Sequence, residues 1–159
     1  MHGQAYLRKG MIAHLNTALE EYLWLASQVP AGLLDTAPPG GQSVRAALLD
    51  LAMRLDTVAY PALIALVEGR PPPDALAAEQ VAARARAWAA ADLMVAMKQI
   101  RYRFQATETL LHDTTDLAWG SAEAGPSPLA RAVFALWQDL LARLHALAGL
   151  VAALPGAAT

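Results

Sequence analysis

The chain has 159 residues, 12 basic against 14 acidic side chains, a formal net charge of −2 and no cysteine. That length suits one domain able to bury a core without covalent staples. The composition excludes a disulfide framework, a zinc-thiolate site and a cysteine nucleophile, and the charge balance lacks the basic footprint of a nucleic-acid binder. Hydrophobic residues make up 56% of the chain, and the mean hydropathy is +0.30. No run of about 18 uninterrupted apolar residues is present, as a membrane-spanning helix needs. The most apolar stretch, 129–154, is broken by Arg131, Gln138, Asp139, Arg143 and His145. Arg8 and Lys9 are followed by His14, Asn16, Glu20 and Glu21 rather than by the apolar core of a signal peptide. A cytoplasmic protein that hides its extra apolar surface in a homodimer, with no membrane partner, is expected.

Alanine and leucine dominate, β-branched residues are few, and no segment alternates with period two, so the chain reads all-α. The first helix is predicted over 4–28, with Leu7, Met11, Leu15, Tyr22 and Leu25 at helical spacing and Pro30 and Gly32 closing it. A loop to residue 42 carries Pro38, Pro39, Gly40 and Gly41; Ser43 then stands where a helix N-cap belongs. The second helix runs over 44–68, with Pro61 inside it as a kink or local break. Residues 74–88 form a short helix. Asp92 caps a third long helix over 93–112, residues 119–128 form a second loop, and the last helix covers 129–154. One domain over 1–159 results, a four-helix bundle with an additional short helix between helices two and three.

The second helix is apolar on two faces. Val44, Leu48, Leu51, Leu55, Val58 and Leu66 form one stripe, and Leu49, Met53, Tyr60, Ile64 and Val67 a second. One face meets the bundle, the other a partner subunit or the short helix. On the last helix, Val133, Leu136, Leu140, Leu144, Leu147 and Val151 form a core face, and Ala135, Ala142, Ala146, Gly149 and Ala153 a stripe of small residues that lets another helix approach closely.

The loop and helix start, Pro39-Gly40-Gly41-Gln42-Ser43-Val44-Arg45-Ala46-Ala47-Leu48-Leu49-Asp50, together with the helix lengths and order, resembles the DinB/YfiT-like four-helix-bundle family, over nearly the whole chain. The resemblance implies a divalent metal (Ni, Zn, Mn or Fe) held by three histidines, one on the second helix and two a turn apart on the last. It also implies a dimer and, in some members, thiol-dependent transferase or isomerase activity. Carried onto this chain, the second-helix position holds Asp50. On the last helix only His145 is available, and the registers that use it leave Leu141 or Gly149 as its partner; a third register puts Ala142 and Ala146 at both positions. Asp50 and His145 are therefore the two candidate metal ligands, short of the three that a catalytic site generally needs.

Each candidate carries two readings. Asp50 is a ligand or acid/base, or it is an i,i+4 ion-pair partner of Arg54. His145 binds metal or substrate, or is a boundary histidine. Glu108, His112 and Asp116, four apart, hold a divalent ion, or are ordinary groups at a helix end. His14 reads as a surface or groove residue, and Trp24, Trp88, Trp119 and Trp137 as core or interface aromatics. Two functions stand against each other. One is a DinB-like protein with a lost or altered metal site, acting as a small-molecule-binding or interaction scaffold. The other is a divalent-metal-dependent thiol transferase or isomerase, with a third ligand from elsewhere, such as His14 or His112. The sequence leaves open whether the chain is an enzyme.

Overall fold

Proline–glycine clusters cut the alanine- and leucine-rich runs into helices. A computed structural model describes residues 2–90 and 92–156; the small-residue tail after Gly156 lies outside them. The α-helices are α1 (His2–Ser27), α2 (Val44–Arg54), α3 (Tyr60–Val67), α4 (Ala78–Ala89), α5 (Leu93–His112) and α6 (Pro128–Ala152). Short 3-10 turns occupy Ala31–Leu33 and Asp116–Trp119, and the two-residue strands β1 (Gly120–Ser121) and β2 (Gly125–Pro126) pair antiparallel. The protein is all-α apart from that hairpin, and no helix among the described residues is long and apolar enough to cross a membrane.

The caps account for the helix starts. Ser43 accepts from the Ala46 amide at 3.1 Å and Asp92 from the Met94 amide at 2.8 Å. Ser127 does the same for α6 through Ala130 at 3.1 Å, so α6 begins at Pro128, a residue earlier than the apolar pattern indicates. At α4 the Gln80 side chain accepts from the Ala77 amide at 3.1 Å. The expected break at Pro61 takes the form of a π-helical turn over Leu55–Ala59 between α2 and α3. Pro61 has no N–H to give the preceding turn, and the Tyr60 amide reaches back to the Leu55 carbonyl.

The hairpin after α5 depends on Gly120, whose φ of +131 lies in the region L side chains avoid and whose Cβ would run into the Gly125 carbonyl oxygen. Trp119, fully buried beside it, donates from Nε1 to the Thr114 hydroxyl at 2.8 Å.

Pairwise contacts fix the helix directions. Along α1, Leu7 shares a groove with Phe134, His14 stacks on Trp137 with ring centroids 5.1 Å apart, and Tyr22 lies with Ala146 and Leu147. Thus α1 and α6 run side by side in the same direction. Asp50 meets Arg143, Arg54 approaches Asp139, and Leu63 lies with Leu136, so α2 and α3 run opposite to α6. Arg101 meets Glu20, and Arg8 reaches the Thr114 carbonyl, so α5 runs opposite to α1. The core between these helices includes Leu15, Leu19, Tyr22, Leu48, Leu51, Ile100, Leu111, Leu140 and Leu147, each at most 1–2% exposed. The second apolar stripe of the second predicted helix is half-buried, and α4 contributes no fully buried residue.

Candidate functional site

Tyr22 is reached from α1 at the helical spacing that also buries Leu15 and Leu19. Its residue exposure is 1%, yet its hydroxyl makes no hydrogen bond among the described residues. Nor is that hydroxyl one of the enclosed side-chain atoms without a hydrogen bond, which belong to Arg8, Arg103, Glu108 and Asp116, although the Arg8 and Asp116 atoms form an ion pair with each other. The small area it keeps opens into a cavity of about 370 Å³ that Tyr22 lines. The size falls in the range of small-molecule sites, and is about two and a half times the ~150 Å³ that accommodates benzene.

The loop at 38–42 and the start of α2 form one wall, through Pro38, Gly41, Gln42 and Ala47. The Gly41 amide donates to the Pro38 carbonyl at 3.0 Å, and the Arg45 amide to the Leu34 carbonyl at 3.0 Å. An Arg45–Asp35 ion pair at 2.7 Å adds a further tether. The opposite wall is α6: Arg143, Ala146, Leu147, Gly149, Leu150 and Ala153. The small-residue stripe predicted to admit a closely packed helix therefore borders a cavity at Ala146, Gly149 and Ala153. Small side chains permit either close approach or empty space, and here they leave space.

Arg143 supplies the charge. Its Nη1 donates to Asp50 Oδ2 at 2.7 Å and its Nε to Asp139 Oδ2 at 2.9 Å. Burial alone would lower its pKa, but the hydrogen bonds to Asp50 and Asp139 outweigh that and hold it above its ordinary value. Arg54 approaches Asp139 at 4.0 Å, so two carboxylates and two guanidiniums form one neutral network. Burial pushes the Tyr22 phenol up to about 12, with Arg143 pulling it down and Asp50 pushing it up. The phenol is a neutral donor at physiological pH.

Arg143 also borders a second cavity, about 630 Å³, with Asp50, Arg54, Thr57 and the segment at 72–76. There Asp50 is paired with Arg143, the Thr57 hydroxyl donates to the Met53 carbonyl at 2.7 Å, and Asp74 adds a further carboxylate.

The sequence candidates are dispersed. Asp50 does pair with an arginine, but with Arg143 from α6 rather than with Arg54 one turn away; Arg54 reaches Asp139 instead. His145 follows Arg143 by two residues, about 200° around the helix, and is exposed, without a hydrogen bond or ion pair among the described residues. Asp50 and His145 are thus on separate sides of α6. His14 stacks on Trp137. His112 ends α5, Asp116 starts a 3-10 turn and pairs with Arg8 at 3.0 Å, and burial raises the Glu108 pKa. No group of three or more His, Asp or Glu placed to hold a metal ion occurs among the described residues. Of the tryptophans, Trp119 is core, Trp88 and Trp137 are half-buried, and Trp24 is 63% exposed, so it is not a core residue of the single chain.

Sequence reasoning missed Tyr22 and Arg143. Arg143 stands beside Leu136, Leu140 and Leu147 on the core-facing side of α6, where a cation needs a partner, and that placement was the available signal. No family model, no curated protein and no solved structure matches this chain.

Proposed function

We propose that the protein is a small-molecule-binding scaffold on a DinB-like four-helix bundle whose inherited metal position has been rebuilt as an ion-pair network. The helix directions support the bundle, with α1 and α6 running one way and α2–α3 and α5 the other. The observation that carries the binding function is the unpartnered, buried Tyr22 hydroxyl opening into the cavity beside Arg143. That hydroxyl is free to donate, and a ligand acceptor can take the place of the water that otherwise reaches it. The donor set does not suit a divalent ion. The Asp50 carboxylate accepts from a guanidinium at 2.7 Å, and a second cation there would be repelled. That pairing favours the scaffold reading over the metal-dependent transferase alternative.

Ligand-observed NMR with a library of small fragments tests the function, on the natural protein and on Gly149→Leu. Gly149 lines the cavity, and a Cβ there meets nothing within 4 Å. Fragments that bind the natural protein and are lost in the variant are expected. Absence of hits, or hits that bind both proteins alike, would overturn the assignment. We also carry forward a homodimer. Its support is the apolar composition and the exposure of Trp24, Phe134 and Leu141 on α1 and α6, at 63%, 45% and 39%. A single monomeric species in sedimentation velocity at tens of micromolar would contradict it.

A further inference from the structure

The chemistry of the cavity restricts what it can hold. Its floor is apolar, from Ala146, Leu147 and Leu150. Tyr22 brings one neutral donor to it. Arg143 brings another: Nε and Nη1 are committed to Asp139 and Asp50, while Nη2 makes no hydrogen bond among the described residues. Tyr22 and Arg143 both line this apolar space, which suits an acceptor group at the end of an apolar body.

The sign of the local field decides between a neutral and an anionic acceptor. Arg143 is half-buried, with 20% side-chain exposure, whereas Asp50 and Asp139 are 48% and 36% exposed. Solvent screens the carboxylates more than the guanidinium. Arg143 lines the cavity together with Tyr22, whereas Asp50 and Asp139 do not. A cationic ligand would meet Arg143 without a free carboxylate to compensate it.

Resting on the reading of this cavity as a small-molecule site, we propose that its ligand is a small aliphatic monocarboxylate. The carboxylate accepts hydrogen bonds from Tyr22 Oη and Arg143 Nη2, and the chain lies along Ala146, Leu147 and Leu150. The site orients the acid end toward the Asp50–Arg143 network and the apolar end toward Gly149 and Ala153. Binding adds one negative charge beside a network whose own charges cancel.

Isothermal titration calorimetry at pH 7 with hexanoate, hexan-1-ol and hexylamine tests this. Hexanoate is expected to bind at least about tenfold tighter than the alcohol or the amine. Tyr22→Phe keeps the ring in the core and removes one donor; it should weaken hexanoate by roughly tenfold, the effect of losing a hydrogen bond to a charged group, and leave hexan-1-ol less affected. Arg143→Lys, which keeps the charge but not the free Nη2, should weaken it as well. Hexan-1-ol binding as tightly as hexanoate would overturn the carboxylate assignment, and the cavity reading would stand if Gly149→Leu abolishes both. Unchanged hexanoate affinity in Tyr22→Phe would overturn the placement. Failure of all three probes would overturn the carboxylate inference alone, since the fragment library judges the cavity independently.

Discussion

Replacing Gly149 by alanine should stabilise the protein, and replacing it by leucine should stabilise it further while filling the cavity. Gly149 lies inside α6, three residues before its end, and a Cβ added there meets nothing within 4 Å. Glycine in a helix interior costs about 1 kcal/mol relative to alanine, and less near an end that frays. Gly149→Ala should therefore add about 0.5–1 kcal/mol. Leucine keeps most of that gain and places an isobutyl group in a half-open cavity facing Tyr22 and Pro38. Full burial of such a group is worth about 1.5–3 kcal/mol, so half burial contributes roughly 1 kcal/mol. The leucine variant should gain about 1–2 kcal/mol, or roughly 2–8 °C in Tm for a chain of this size. Differential scanning calorimetry reads the Tm, and sedimentation of the same samples reads the association state. A Tm below that of the natural protein, with association unchanged, would mean that α6 is covered at Gly149, and the reasoning from an open cavity would fall.

Other expectations follow from single contacts. A double-mutant cycle of Asp50→Ala and Arg143→Ala in urea should give a coupling of about 0.5–1 kcal/mol, typical of a partly exposed ion pair, whereas the cycle of Asp50→Ala with Arg54→Ala should give almost none. Thr114→Val strands the indole N–H of buried Trp119; the cost of about 1–3 kcal/mol should appear as a fall of several degrees in Tm. Burial raises the Glu108 pKa above its ordinary 4.5, with His112 lowering it and Glu20 raising it. Between the unfolded and folded values the native state holds the extra proton, so this group's contribution is greatest below pH 4.5 and falls as pH rises through the folded pKa. Glu108→Gln should therefore raise Tm at pH 7, with the difference shrinking toward pH 4; a difference that grows on acidification would contradict the burial account.

Local rules carried the helices well. Ser43 and Asp92 bear side-chain oxygens one turn ahead of apolar runs, and both cap as the pattern requires. Pro61 was legible as a break because its missing N–H is a property of the residue; that the chain answers with a π turn over Leu55–Ala59 depends on how α2 and α3 both keep their apolar faces inward. The site was less legible. An i,i+4 rule pairs Asp50 with Arg54, and a partner 93 residues away has no local signature. Tyr22 announced its burial through helical spacing, but spacing is silent on whether a hydroxyl finds a partner. The small residues of α6 were visible as a stripe, and only the position of the 38–42 loop decides that the stripe faces a cavity.

The central claim is that the cavity under that loop is where the protein binds small molecules. Backbone-amide NMR during titration with the tightest-binding fragment tests it most directly. Saturable shifts concentrated at Gly41, Gln42, Ala146, Gly149 and Leu150 are expected. Shifts concentrated instead at Asp74, Leu76 and Val81 of the second cavity, or along Leu7 and Phe134, would contradict it.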